Sequence, residues 1–454
     1  MLVRLGISLA PLAARSRPKL RDALAARAGV LERLGAWARV HRQPGRPLLW
    51  MHASSVGEGL QAEVVLEMLR PAHPDWQIVY THFSPSAEAL ARRMPADLAD
   101  YLPWDRPRDV DAALDALRPT ALIFCKLDLW PELATRAAAR GVAVGMIAAT
   151  VSPVSRRSRW PGRALIRAGY RAVWRAGAVS EPDAARLANL GVPASVIEVT
   201  GDPRFDSALA RARTIRPDDP LVALGRGAQT LVAGSTWEED EQVLLPAFGA
   251  VRAARPDVRL IIVPHEPTPE HLARLDGAAA ELGLPAPRRL GDFTEPAPLM
   301  VSDRVGGLAT LYSAGQIAYV GGGFGTSGLH SVLEPAACGK PVLFGPRWQS
   351  SREAGLLLAR RAAVVVSPKF CDWLDLDASS TQGGANPLAA IWLALLRNPD
   401  HARAAGRRAL ECVEAGLGAA VRSTHLVEAL MSRSAQGTET ALDAAASGEI
   451  PPTG

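Results

Sequence analysis

The 454 residues exceed what one ordinary hydrophobic core accommodates, so two domains are expected. Apolar residues make up 48% and charged residues 21%, a balance that excludes a wholly disordered chain. The net charge of +5 suits nucleic acid, an anionic membrane face or a phosphorylated substrate alike, and with only Lys19, Lys126, Lys340 and Lys369 as lysines it reflects arginine-rich coding more than any partner.

The chain opens on an apolar stretch, Leu5–Ala14, flanked by arginines. It is too short to span a bilayer, and "RSRPKLRD" stands where a signal-peptide cleavage site would have to be. Residues 1–43 read as helices with arginine at helical spacing, as in "RDALAARAGVLERLGAWARV". This predicts an amphipathic segment resting on the anionic inner leaflet, at the cytoplasmic face of the membrane. Cys125, Cys338, Cys371 and Cys412 are scattered without metal-ligand spacing, which fits a reduced compartment.

From residue 44 the pattern alternates. "PLLWMHA", "WQIVYTHF", "ALIFCK", "VAVGMIAA" and "AGAVS" predict strands, and "AEALARRM", "DVDAALDAL" and "PELATRAAARG" predict helices between them. Such a βαβα rhythm predicts a parallel sheet covered on both faces. The rhythm lapses over 207–227, a charged, proline-bearing linker, and resumes with "TLVAGS", "RLIIVPHE", "PLMVSD", "IAYVGGG", "PVLFGP" and "AAVVVS". A helical end runs from about Pro387 to Met431, before a small, polar tail expected to be disordered. The expected organisation is α/β: a helical segment over 1–43, a Rossmann-like domain over 44–206, the linker 207–227, a second Rossmann-like domain over 228–433 and the tail 434–454. Ligands of such sheets gather beyond the carboxyl ends of the strands, in a crevice.

The stretches that could carry chemistry sit at those ends. "HASSVGEGL" runs from a strand through a Ser/Gly turn into a helix, with Glu58 on its first turn. "YVGGGFGTSGLHSVLEPAACGKPVLFGP" (Tyr319–Pro346) leads a strand into a glycine-rich turn and a helix predicted to open near Ser331. Glycines let a ligand approach the backbone, and a helix N-terminus offers N–H groups to phosphate. Glu334, on that helix's first turn, could accept two ribose hydroxyls; the bland alternative is a turn that needs its glycines for packing alone. "VAGSTWEEDE" and "IIVPHEPTPEHL" end two more strands, the latter presenting Pro264, His265 and Glu266, and "GDPRFD" sets Arg204 where the chain leaves the first domain. No Walker loop, HExxH or GxSxG occurs. The two DxD pairs, Asp109–Asp111 and Asp375–Asp377, lie beside helical stretches and read as capping or solvated charge, so neither a metal nor another cofactor is expected.

Taken in order, "HASSVGE", "KLDLWPELA", "GDPRFD", "AGSTWEEDE", "VPHEP" and "YVGGGFGTSGLHSVLEPAACGKPVLFGP" resemble the successive motifs of the 3-deoxy-D-manno-octulosonic acid (Kdo) transferases over roughly residues 15–430. The resemblance implies a GT-B glycosyltransferase: two Rossmann-like domains with the active site in the cleft between them. It implies transfer of Kdo from CMP-Kdo to a lipid A precursor, with inversion, in lipopolysaccharide core synthesis. Glu58 inherits the role of general base, and a carboxylate near a helix N-terminus is well placed to take the acceptor's proton. Pro264, His265, Gly306, Ser331 and Glu334 inherit donor contacts. Arg204 matches a family lysine thought to assist the transition state. The partners implied are CMP-Kdo, the lipid acceptor and the anionic membrane surface, with no nucleic acid.

This chain departs from the family pattern in places. Many members carry E-T-E-L-W where it has "KLDLW", so Lys126 reverses a charge and Asp128 shortens a side chain; their site roles stay open. "SGLHS" replaces G-G-H-N, with Ser331 in place of asparagine. Two other readings stand beside the first. One is a GT-B enzyme using a UDP-sugar on a lipid-linked or cell-wall acceptor. The other is an inactive GT-B-like protein that binds lipid or glycan.

Overall fold

In the first half, β1 (Leu48–His52), β2 (Gln77–His82), β4 (Ala121–Cys125) and β5 (Ala143–Ala149) are buried at every position and mostly apolar, with His52, Gln77, Thr81 and His82 as buried polar exceptions. A strand covered by helices on both faces needs no polar alternation, and these parallel strands show none. With β3 (Leu98–Tyr101), β6 (Arg175–Ala178) and β7 (Ile197–Val199) they form a sheet in the order β3-β2-β1-β4-β5-β6-β7. β3 and β7 escape the sequence pattern because they are short edge strands with exposed positions. A second sheet has the order β10-β11-β9-β8-β12-β13-β14, from β8 (Gln229–Thr236), β9 (Val258–Pro264), β10 (Arg288–Arg289), β11 (Leu299–Val301), β12 (Ile317–Val320), β13 (Val342–Phe344) and β14 (Ala363–Val365). Its register is parallel throughout. The computed structural model describes residues 25–152, 162–291, 295–367, 374 and 386–432. The N-terminal stretch before residue 25, Asp375–Asp377, Cys371 and the tail 434–454 lie outside them.

The chain divides into two compact units, one of residues up to Arg204 together with those from Leu417 on, the other Phe205–Gly416. The expected linker, 207–227, holds most of helix Arg204–Thr214 and all of Pro220–Ala223, and Phe205, Ala208 and Leu209 bury one face of the former. Among the described residues, six α-helices open on proline at the first position (Pro107, Pro131, Pro220, Pro269, Pro387 and Pro399), where a missing N–H costs nothing.

The C-terminal helical residues 419–432 belong to the first unit, although their sequence continues the helices of the second. Leu426, Val427, Leu430 and Met431 join the core formed by Met51, Ile123 and Ile147. Gly145 makes this possible: a Cβ there would stand 2.3 Å from Leu430 Cδ1. Arg422 Nε donates to the Thr200 carbonyl at 2.9 Å, and His73 Nε2 lies 2.8 Å from Glu428 Oε1. At the other end, helix Val30–His41 buries Val30 and Leu34 in the same unit. Arg27 just before it is buried over the Phe83 ring at 3.7 Å, and burial lowers its guanidinium to about 10. No helix among the described residues is long and apolar enough to cross a membrane.

Candidate active site

In each sheet the strand order reverses beside the first strand, between β1 and β4 and between β8 and β12. The carboxyl ends at such a reversal are where a ligand finds room. In the first unit they carry His52–Glu58 and Lys126–Trp130. Ser55 is extended and starts helix Val56–Ala72, which puts Glu58 on its first turn. That is the place of a capping-box glutamate, yet the Ser55 side chain makes no capping bond; its Oγ donates to Glu58 Oε2 instead. Lys126 follows β4 with a left-handed φ of 62°, costly for a side chain with a Cβ, and is held by its N–H to the Ile147 carbonyl at 2.9 Å. Its Nζ lies 3.6 Å from Glu58 Oε1. The residue that reverses the family's charge therefore stands beside the candidate base.

Below that pair is a histidine the sequence reading did not single out. His52 is fully buried; its Nε2 receives the Trp130 indole N–H at 3.1 Å and lies 3.0 Å from Ser54 Oγ. An indole nitrogen only donates, so Nε2 carries no hydrogen and Nδ1–H donates to Thr81 Oγ1 at 3.0 Å. Asp128 Oδ2 is 3.7 Å from His52 Nε2. Asp128 thus borders the His52–Trp130 pair, and Lys126 borders Glu58.

Arg204 is committed to a neighbour. It forms a fork on Asp202, with Nε to Oδ2 at 3.0 Å and Nη2 to Oδ2 at 2.6 Å, while its own N–H bonds Oδ1 at 3.0 Å. Gln61, one turn along the helix from Glu58, donates to Asp202 Oδ1 at 3.0 Å. Burial would raise the Asp202 carboxyl, but the charge and hydrogen bonds of Arg204, with the Gln61 bond, outweigh it and hold it below the usual range. Arg204 is thereby anchored to the helix that presents Glu58. The Asp109–Asp111 pair is taken up too: Asp111 binds Arg136 and Arg140, each at 2.7 Å.

The second unit assembles its candidates at the ends of β8, β9 and β12. Asp240 is buried and accepts from Tyr319 Oη at 2.7 Å, Gly322 N–H at 2.8 Å and Trp237 N–H at 3.0 Å, tying the glycine-rich turn to the helix after β8. Burial raises its carboxyl despite these bonds. The glycines have a packing reason: a Cβ on Gly321 would lie 2.2 Å from the Ser235 carbonyl, on Gly322 2.1 Å from that of Gly328, and on Gly323 2.6 Å from Gly345 N. The turn closes on its own chain, as the bland alternative supposed, and in doing so brings His330 back beside Gly321, its N–H bonding that carbonyl at 3.1 Å.

His330 completes a stack of three rings with Trp237 and His265. His265 and His330 are 4.3 Å apart and 29° from parallel, and Trp237 lies 4.8 Å from His265. Pro264 and His265 are set by β8, through register with Thr236 and a bond from His265 N–H to the Thr236 carbonyl at 2.9 Å. A cavity of about 480 Å³ opens beside the stack, lined among others by Trp237, Glu239, Glu266 and His271. Burial lowers His265 and pushes His330 down to about 4.

The helix expected to open near Ser331 begins at Leu333 and ends at Ala337, a single turn with no side-chain cap. So short a helix has little macrodipole to offer a phosphate, because N-terminal partial charge sums over aligned peptides. Ser331 is exposed ahead of it. Glu334 does sit on its first turn; burial raises its carboxyl, with Arg211 opposing from 3.6 Å. Gly306, with φ of 109°, precedes helix Leu308–Ala314, which is joined to the Glu334 turn by Ser313 Oγ and Cys338 Sγ at 3.4 Å. Pro264, His265, Gly306, Ser331 and Glu334 thus belong to adjoining strand ends. Trp237, Asp240 and His330, which hold those ends, lay inside quoted motifs; the signal available was an aromatic or acidic residue just past a strand.

Two parallel sheets, each with polar side chains gathered at the carboxyl ends about its reversal, define a GT-B glycosyltransferase fold of two Rossmann-like domains. A family model for 3-deoxy-D-manno-octulosonic-acid transferase (kdotransferase) matches residues 28–207. The 3-deoxy-D-manno-octulosonic acid transferase of Bordetella pertussis is 31% identical over 422 residues, covering 87% of this chain and 94% of the relative. That of Haemophilus influenzae is 25% identical, covering 92% and 93%. This chain belongs to the 3-deoxy-D-manno-octulosonic acid transferase family. Among solved structures, UDP-GlcNAc 2-epimerase from Neisseria meningitidis bound to UDP-GlcNAc superposes with a TM-score of 0.57 at 14% identity, covering 85% of this chain and 100% of that one, a likeness of fold alone.

Proposed function

We propose that this glycosyltransferase moves Kdo from CMP-Kdo to a lipid A precursor with inversion, without a metal ion, and that Glu58 is the general base. The observation that carries the reading is the setting of Glu58: a carboxylate on a first helical turn, at a strand reversal, with Ser55 on one oxygen and a lysine near the other. A carboxylate has about four acceptor positions, so both oxygens keep capacity for an acceptor hydroxyl. As that hydroxyl oxygen attacks the anomeric carbon, its proton passes to Glu58. The bond from that carbon to the phosphate oxygen breaks and its electron pair leaves with CMP.

Pro264, His265, Gly306, Ser331 and Glu334 are the proposed donor contacts. Arg204, oriented by Asp202, is the proposed cation assisting the transition state, and Lys126 and Asp128 border the acceptor side. The arginine-rich segment 1–43 is the proposed contact with the anionic cytoplasmic face of the inner membrane.

The test is incubation of the purified protein with CMP-Kdo and a tetraacyl lipid A precursor, followed by mass spectrometry. A product heavier by one or more Kdo residues is expected. Turnover with a UDP-sugar and none with CMP-Kdo would overturn the donor assignment.

A further inference from the structure

The Trp237 indole N–H can donate and cannot accept, and its acceptor is His330 Nε2 at 2.9 Å. A ring nitrogen that accepts carries no hydrogen, so the neutral imidazole has its hydrogen on Nδ1. One face of the ring stacks on His265, and its Cδ2 edge lies against Gly322, where an added Cβ would stand 3.2 Å away. Nδ1 is on the opposite edge, away from Trp237 and Gly322, and makes no hydrogen bond among the described residues.

The first unit holds the same device in closed form. There the Trp130 indole occupies His52 Nε2 and the Nδ1–H is spent on Thr81, inside the core. In the second unit the corresponding indole bond is made, and the Nδ1 side has no acceptor among the described residues. It stands at the strand ends that carry His265, Ser331 and Glu334.

We propose that Trp237 is a positioning residue that fixes His330 as its Nδ1–H tautomer, and that this N–H donates to the phosphate of the sugar–nucleotide as its bond to the anomeric carbon breaks. The proposal rests on the donor reading above. The electron pair of the breaking bond goes to the phosphate oxygen, and the hydrogen stays on Nδ1. No proton transfer is needed, since a phosphate monoester of second pKa about 6 leaves readily as an anion at neutral pH. Burial, which keeps His330 neutral well below neutrality, holds the ring to one role, that of a fixed dipole aimed at developing charge.

The experiment uses full-length protein with 15N-labelled histidine, observed by NMR with and without CMP, alongside steady-state transfer from CMP-Kdo. Wild-type His330 is expected to show a protonated Nδ1 and a bare Nε2, with Nδ1 shifting when CMP binds. Trp237→Phe keeps the ring and removes its N–H; a mixture of tautomers is expected, with kcat lower by roughly tenfold and KM for CMP-Kdo changed much less. His330→Asn can place an amide N–H near Nδ1, whereas His330→Gln reaches toward Nε2. The glutamine variant should lose activity by a factor of order 10², and the asparagine variant should be at least about tenfold more active than the glutamine one. Melting temperatures show that each variant is folded. A hydrogen on Nε2 in the wild type, equal activity of the Asn and Gln variants, or an altered tautomer in Trp237→Phe with unchanged turnover would each overturn the assignment. If CMP binds and Kdo is transferred while His330 Nδ1 does not respond, this inference alone fails. If CMP does not bind at all, the donor reading fails and takes the inference with it.

Discussion

The two units solve the problem of polar groups at a sheet's end in opposite ways. In the first, charges meet partners of opposite sign: Glu58 has Lys126, and Asp202 has the fork of Arg204. In the second, burial runs ahead of pairing. The carboxyls of Asp240 and Glu334 are raised, and the rings of His265 and His330 are lowered, all toward their neutral forms. A paired charge is already stabilised and ready to act. A desolvated group gains most when a ligand arrives with complementary hydrogen bonds, because its water has already been removed. The contrast fits the proposed division, in which the first unit activates the acceptor and the second binds the nucleotide.

The largest effect that can break this division is at Glu58. Glu58→Gln retains size and most hydrogen bonding but cannot take a proton, so turnover should fall by about 10² to 10⁴. CMP affinity and melting temperature should hardly move. A folded Glu58→Gln enzyme with near wild-type turnover would end the general-base assignment.

Glu334→Ala should instead weaken CMP binding by about 1.5–3 kcal/mol, the worth of hydrogen bonds to a charged group. Calorimetry reads it directly, and wild-type affinity in the variant would put Glu334 outside the nucleotide site.

Arg204→Ala strands the buried Asp202 carboxylate. The loss of stability at pH 7 should be about 2 kcal/mol, short of the roughly 3–5 kcal/mol of a wholly buried pair because Arg204 is partly exposed. Its pH dependence has a definite sign. Asp202 is held below the usual range, so its contribution is present above the ordinary carboxylate value and fades as pH falls through the lower folded one. Glu334 has the opposite sign: its folded value is raised, so its contribution is complete in acid and is lost as pH rises through that value. Arg204→Ala should therefore be less stable than wild type at pH 7, and Glu334→Gln more stable, with both differences shrinking in acid. Urea titrations at pH 4 and pH 7 check this, and differences of the same sign would dissolve the contrast between the units.

The smallest effect expected is none. Asp111 is occupied by Arg136 and Arg140, and the proposed phosphate contacts are N–H groups and rings, so transfer should survive thorough EDTA treatment. Loss of activity restored by Mg²⁺ or Mn²⁺ would count against that site.

The sequence by itself determined the alternation of strands and helices, because a strand covered on both faces must be largely apolar, as "LLWM" and "ALIFC" are. It also marked the strand-end motifs, since Gly and Ser at the end of an apolar run favour a turn and Pro cannot continue the ladder, and their order pointed to the family. Short edge strands such as Ile197–Val199 carry too little burial to show a pattern. Tertiary structure alone decided that the helical residues 419–432 return to the first unit, through a gap that Gly145 leaves for Leu430. It alone gave Arg204 its aspartate, Glu58 its lysine, and Trp237 a histidine 93 residues away. Those partnerships depend on which strand ends lie side by side, and local periodicity, which reports burial along one element, carries no information about neighbours across a sheet.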